Sequence, residues 1–183
     1  MSPVMHKLFA AIILCLILQI VAVPAPAEVQ SAGALEIKAA FLVKFTAYVK
    51  WPTGTFSSPE APVVIGIFGR DPFGSVIDTI ARSYTASGRH VEIRRYKELS
   101  MLAICNMAFV VPSAMDRMND ILQAVHGKSI LLVGNFPDFL DKGGMINFIR
   151  TGKRIRFDIN KKNCDMVGLE ISSKLLKVAH AIR

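Results

Sequence analysis

Histidine, cysteine and tryptophan are scarce in this chain, at four, three and one of 183 residues, and the shortage excludes several kinds of chemistry. His90, His126 and His180 stand apart from one another, and none lies near a Cys or carboxylate at metal-ligand spacing. No serine occupies a G-x-S-x-G elbow, and Cys105 in an apolar run lacks the electropositive, exposed setting of a reactive thiolate. Asp138 and Asp141 share a connection in which turn chemistry accounts for them as well as acid–base work does. The residues offer no catalytic set, no metal set and no cofactor fingerprint, and the expectation is that the protein is not an enzyme. Basic segments interleaved with aromatics are also missing, which argues against nucleic acid as a partner. The chain has no internal repeat and no low-complexity linker, and its length suits a single core.

Long apolar runs are limited to one, at the start. His6 and Lys7 precede residues 8–23, which are apolar but for Gln19, and Ala25-Pro26-Ala27 offers small residues at the spacing a signal peptidase needs. The pattern predicts export, with a signal peptide over 1–27 cleaved after Ala27 and one domain over 28–183. Cys15 follows Leu14, which is no small residue, so lipid attachment is not expected. Loss of Lys7 with the leader leaves 21 basic against 14 acidic residues, a formal +7 that suits an exported domain beside anionic lipid. Cys105 and Cys164 remain. An oxidising compartment makes a Cys105–Cys164 disulfide available, although a domain of this size does not require one.

What is present is a regular alternation of helical and extended patterns. Residues 36–51 carry Ile37, Phe41, Phe45 and Tyr48 at helical spacing, and Pro52 stops the run. Apolar stretches at 63–68, 107–111 and 129–133 have the length of buried strands, and 91–94 adds another. Between them fall a helix over 75–81 and a second begun by Ser113, with Asp116 three positions on as a variant capping box and Met115, Met118, Ile121, Leu122 and Val125 as its stripe. The order predicts an α/β fold with a mainly parallel sheet covered by helices on both faces. Gly69, Arg70, Asp71 and Gly74 lie between the first core strand and the following helix, where such folds bind ligands at free N–H groups; these four are a ligand-binding candidate that matches neither G-x-G-x-x-G nor the Walker pattern.

Toward the C-terminus, two period-2 runs flank Arg150-Thr151-Gly152-Lys153 and predict an antiparallel edge hairpin. In the second run Ile155, Phe157 and Ile159 fall on one face and Arg154, Arg156, Asp158 and Asn160 on the other. Asn160 or Asn163 then caps a short helix that Gly168 ends, residues 169–171 are extended, and Ser172 or Ser173 caps a last helix with Leu175, Leu176 and Ala179 inward. The outward face of the hairpin is the strongest functional candidate. Arg154, Arg156 and Lys161 supply charge for a partner, with Asp158, Asn160 and Glu170 as specificity contacts.

Residues 38–42, Phe45, Trp51-Pro52, Gly69 to Gly74, Gly88-Arg89, Cys105, Gly143 to Ile146, Ile155 to Asn160, Gly168-Leu169 and Leu175-Leu176 together resemble the YfiR family over residues 35–179. The resemblance implies a Rossmann-like periplasmic domain, usually a homodimer, that binds the periplasmic sensor region of a membrane diguanylate cyclase and inhibits it. It also implies release by an outer-membrane lipoprotein partner, with effects on cyclic diguanylate and biofilm. The alternative is a periplasmic small-ligand sensor without a cyclase partner. In the typifying member of the family one disulfide joins the first core strand to the strand of the Cys105 counterpart, and another lies near the hairpin. Here residues 63–68 and 150–154 contain no cysteine, which departs from that pattern.

Overall fold

The computed structural model describes residues 32–183, so the leader and its cleavage point after Ala27 lie outside the described residues. The described residues form one compact unit. Helix α1 (Ala32–Phe45) leads into a two-residue strand, β1 (Val49–Lys50), and then β2 (Val63–Phe68), α2 (Ser75–Arg82), β3 (Thr85–Ala86) and β4 (Arg89–Tyr96). A 3-10 turn precedes β5 (Met107–Val110), and another leads into α3 (Met118–Ala124) and β6 (Leu131–Gly134). The hairpin β7 (Ile146–Thr151) and β8 (Arg154–Ile159) follows, then α4 (Lys161–Met166), β9 (Glu170–Ile171), α5 (Ser173–Val178) and β10 (Ala181–Ile182).

Eight strands form one sheet in the order β10-β8-β7-β6-β5-β2-β4-β3. Pairing is parallel from β4 through β2, β5 and β6 to β7, and antiparallel within the β7–β8 and β3–β4 hairpins. Every residue of β2, β5 and β6 is buried, as parallel strands covered on both faces must be. These runs are apolar throughout because water is absent from either side.

Asn106, one residue before β5, knits the starts of β2, β5 and β6 to Trp51, the residue that follows β1. Its Oδ1 accepts from Val64 N at 2.8 Å, its amide donates to Val64 O, and its carbonyl accepts from both Leu131 N at 2.9 Å and the indole Nε1 of Trp51 at 3.2 Å. A buried polar side chain is tolerated here because its bonds are made.

Three expectations need correction. The helix over 36–51 ends at Phe45. Thr46, Ala47 and Tyr48 turn back onto the carbonyls of Val43, Lys44 and Phe45, and Val49–Lys50 pairs antiparallel with Glu170–Ile171. A cross-strand ladder with a β-branched Val49 wins over continued helix. Ser113 does not cap a helix: Pro112 starts a 3-10 turn (Pro112–Arg117), and Ser113 Oγ accepts from Arg70 N at 3.3 Å. Met115 is exposed as a result, and only Met118, Ile121 and Val125 of the expected stripe are buried. Finally, the hairpin is not the last strand of the sheet, because β10 lies parallel outside β8 over Asp158 and Ile159.

Candidate functional site

The hairpin is built as its residues demand. Gly152 takes φ +60 at the first of two loop positions, the pattern of a tight hairpin turn in which glycine costs nothing. Phe148 and Phe157 face each other across the two strands and dock under α1. Phe157 meets Phe45 edge-on at 5.0 Å between ring centroids and Phe41 at 5.5 Å, while Phe148 stacks on Phe45 at 5.8 Å. Burial of each such ring contributes about 2–3 kcal/mol, with somewhat more from the ring geometry. One face of β8 is therefore fixed to the core, and the other is left for other contacts.

That other face is less uniform than the alternation implies. Arg154 is exposed and Arg156 half-buried, and neither they nor Lys153 forms an ion pair among the described residues. Asp158 sits low in the sheet with its side chain 14% exposed, and its Oδ1 lies 2.9 Å from His180 Nδ1. Asn160 is occupied by the fold: its Oδ1 caps α4 by accepting from Asn163 N at 3.0 Å, and its Nδ2 reaches Leu140 O. Lys161 holds Asp165 at 2.6 Å. Glu170 lies in the separate β1–β9 ladder, paired with Lys50 at 3.1 Å. Of the six candidates, Arg154 and Arg156 form the free positive patch, Asp158 adjoins it, and Asn160, Lys161 and Glu170 are engaged elsewhere.

Beside Arg154 and Arg156 lies a cavity of about 420 Å³ floored by Ile37 and Phe41 of α1, Ile155 and Phe157 of β8, and Val178 of α5. Ile37 and Val178 are 47% and 56% exposed, so large apolar side chains line an open groove. Single exposed apolar residues are ordinary, but a contiguous set with a charged rim marks an interaction surface. Sequence reasoning missed the groove because α5 and α1 meet β8 only in three dimensions.

The turn with Gly69, Arg70, Asp71 and Gly74 is filled by its own contacts. A Cβ on Gly69, at φ +108, would fall within 2.2 Å of Val111 Cγ2, and Asp71 Oδ1 accepts from Phe73 N at 2.7 Å. Arg95 then ties the turn to α2, with Nε 2.7 Å from Asp71 Oδ2, Nη2 2.7 Å from Gly74 O and 2.6 Å from Asp78 Oδ2. The Arg95 guanidinium holds the Asp78 carboxyl below its ordinary range. This clamp was invisible in the sequence, since Arg95 comes from the outward end of a strand.

A larger cavity, about 530 Å³, lies at the other end of the sheet between β1 and the β3–β4 turn, lined by Tyr48, Trp51, Phe56, Arg89, Glu170 and Ser172. Arg89 stacks on Phe56 at 4.0 Å from the ring centroid and donates to Ser58 O and Ala61 O at 2.8 Å each. The Cys105 and Cys164 thiols are free and buried, on separate elements, in place of the Cys105–Cys164 disulfide that export would permit. Burial pushes Cys105 up to about 11 and Cys164 up to about 12. Neither is poised as a nucleophile. No group of His, Cys, Asp and Glu able to hold a metal ion occurs among the described residues.

A family model described as YfiR/HmsC-like matches residues 35–180. The chain belongs to the YfiR/HmsC-like family. The match takes in every strand of the sheet except β10, together with the hairpin and the groove. The family connects the chain with periplasmic, non-catalytic regulation of diguanylate cyclase signalling. Among the described residues no helix is long and apolar enough to cross a membrane. No curated protein matches the chain.

Two solved structures share the fold. The ABC domain from Streptococcus pneumonia, in complex with L-Trp, superposes with a TM-score of 0.56 at 13% identity, over 79% of this chain and 62% of that one. A conserved domain protein from Vibrio cholerae gives 0.54 at 10% identity, over 81% and 60%. This chain thus spans less than two thirds of either, and at such identity the likeness is one of fold.

Proposed function

We propose that the protein, exported by a leader cleaved after Ala27, binds the periplasmic sensor region of an inner-membrane diguanylate cyclase and restrains it, lowering cyclic diguanylate and biofilm signalling. The restraint is lifted when an outer-membrane lipoprotein competes for the protein, which acts as a homodimer. Family membership supports the regulatory part of this reading. The observation that carries the contact is the unneutralised Arg154–Arg156 patch beside the open apolar groove. Such a pairing of apolar floor and charged rim is the anatomy of a transient protein interface.

The test is to delete the gene and measure intracellular cyclic diguanylate, then complement with Arg154→Glu and Arg156→Glu. The expected results are a rise on deletion and failure of both variants to restore repression while their melting temperatures stay near wild type, since substitutions away from the core change stability by about 0.5 kcal/mol. An unchanged level on deletion defeats the reading.

The 530 Å³ cavity favours a second reading, a small-ligand sensor without a cyclase partner. Tyr48, Trp51 and Phe56 give it aromatic walls and Arg89 a cation. Thermal shift against amino acids and nucleotides separates the two, because a ligand bound only by the native state raises the melting temperature.

A further inference from the structure

The open half of β8 has main-chain groups as well as side chains to offer. Asn160 N donates to Met145 O on the β7 side, so the even-numbered residues of this strand direct their backbone bonds to β7 and the odd-numbered ones direct theirs outward. On the outer side, Phe157 O accepts from His180 N and Ile159 O from Arg183 N, each at 2.8 Å. There β10 stops, pairing only Asp158 and Ile159. The N–H and C=O of Ile155 and the N–H of Phe157 therefore face out from an edge that no strand covers among the described residues. Native proteins rarely leave such an edge open without a reason.

The groove lies along this edge. Ile37, Phe41 and Val178 stand beside Ile155, so a strand laid against β8 would drop alternate side chains among them. Arg154 and Arg156 would meet the intervening side chains. A second copy of the chain is a poor occupant: two β8 edges paired about a twofold near Ile155 would set Arg154 against Arg156, and like charges across a strand pair are destabilising. An acidic segment has the matching charge.

We propose that the edge of β8 over Arg154–Phe157 receives an added strand, an extended acidic segment of the partner protein that alternates carboxylate and apolar side chains. Its backbone completes the bonds of Ile155 and Phe157, its apolar side chains enter the groove between α1 and α5, and its carboxylates meet Arg154 and Arg156. This inference rests on the reading of the protein as a partner-binding regulator. It goes further in fixing the mode of contact as β-strand addition.

The experiment uses the mature protein and a fluorescein-labelled octapeptide alternating Val and Glu, with a Val/Lys octapeptide as control, followed by fluorescence anisotropy. The Val/Glu probe is expected to bind and the Val/Lys probe not to bind. Ile155→Pro removes one outward N–H and leaves the β7 ladder intact, and it is expected to weaken binding about tenfold. Val178→Asp, on an exposed helix position, places like charge in the groove and is expected to weaken it as much. If Ile155→Pro does not fold, Val178→Asp carries the test alone. Equal binding of both probes, or binding by the folded variants as tight as by wild type, overturns strand addition. A dimer in sedimentation that dissociates with Val178→Asp assigns the edge to a second copy and also overturns it. Cyclic diguanylate that does not respond to gene deletion defeats the functional reading, whereas peptide binding reports on the edge itself.

Discussion

Gly66 on β2 leaves the space that the Cys105 thiol fills: a Cβ on Gly66 would come within 2.5 Å of Cys105 Sγ and 3.1 Å of the Tyr96 ring. Gly66 lies within β2, and Cys105 closes the 3-10 turn that leads into the neighbouring parallel strand β5. Gly66→Ala is expected to destabilise the fold by about 1–3 kcal/mol through overpacking, measured by urea unfolding. Combining it with Cys105→Ala is expected to recover part of the loss, and additive losses would show that the two sites are uncoupled.

The same proximity makes Gly66→Cys a disulfide partner for Cys105. After secretion into an oxidising compartment, the variant is expected to lose one titratable thiol relative to wild type on denaturation. Titration of three thiols, the two native ones and the introduced one, would mean that the spacing cannot satisfy disulfide geometry.

Cys105 and Cys164 should be slow to react with a thiol reagent in the native state at neutral pH and fast in urea. Burial raises both, to about 11 and about 12 from an ordinary 9.0. The folded state therefore holds those protons more tightly than the unfolded chain. Their contribution to stability is complete below pH 9 and is lost as pH rises through the folded values. Denaturant titrations from pH 8 upward are expected to show falling stability, and Cys164→Ala should flatten that decline.

Arg95 links Asp71, Asp78 and the carbonyl of Gly74. Arg95→Met is expected to cost about 1–2 kcal/mol, discounted because the guanidinium is 40% exposed. Asp78 is held below its ordinary 3.8 by the Arg95 bond, so its contribution is present above that value and is lost as pH falls through the folded one. Acid unfolding of Asp78→Asn should begin from a lower plateau and show a shallower slope.

Asn160→Ala removes the cap of α4 and a bond to Leu140 O. The expected loss is about 1–2 kcal/mol, with binding of the Val/Glu octapeptide unchanged in the folded fraction. A binding defect in the folded variant would return Asn160 to the interaction face.

Much of the fold is legible in order along the chain. The buried runs at Val63–Phe68 and Met107–Val110 announce central parallel strands, and the alternation of Ile155, Phe157 and Ile159 with Gly152 before it announces the hairpin. Asn160 and Ser172 occupy the cap positions expected of them, accepting from Asn163 N and Leu175 N. Two-residue strands leave no such trace. Nothing periodic in Val49–Lys50, Glu170–Ile171 or Ala181–Ile182 marks them, because each exists only through the strand it meets.

The candidate site divides in the same way. Local chemistry put Arg154 and Arg156 on an outward face, because the side-chain period of a strand is fixed at two. The same reasoning grouped Asn160, Lys161 and Glu170 with them, and there tertiary contacts decided otherwise, giving each a partner within the fold. The amino-acid order by itself determined which residues are apolar, where strands and caps begin and which faces carry charge, since these depend on neighbours a few positions away. Only the folded chain decided where β10 ends on β8 and how Ile37 and Val178 come to border Ile155, because those residues are far apart in sequence and burial of the core is what brings them together.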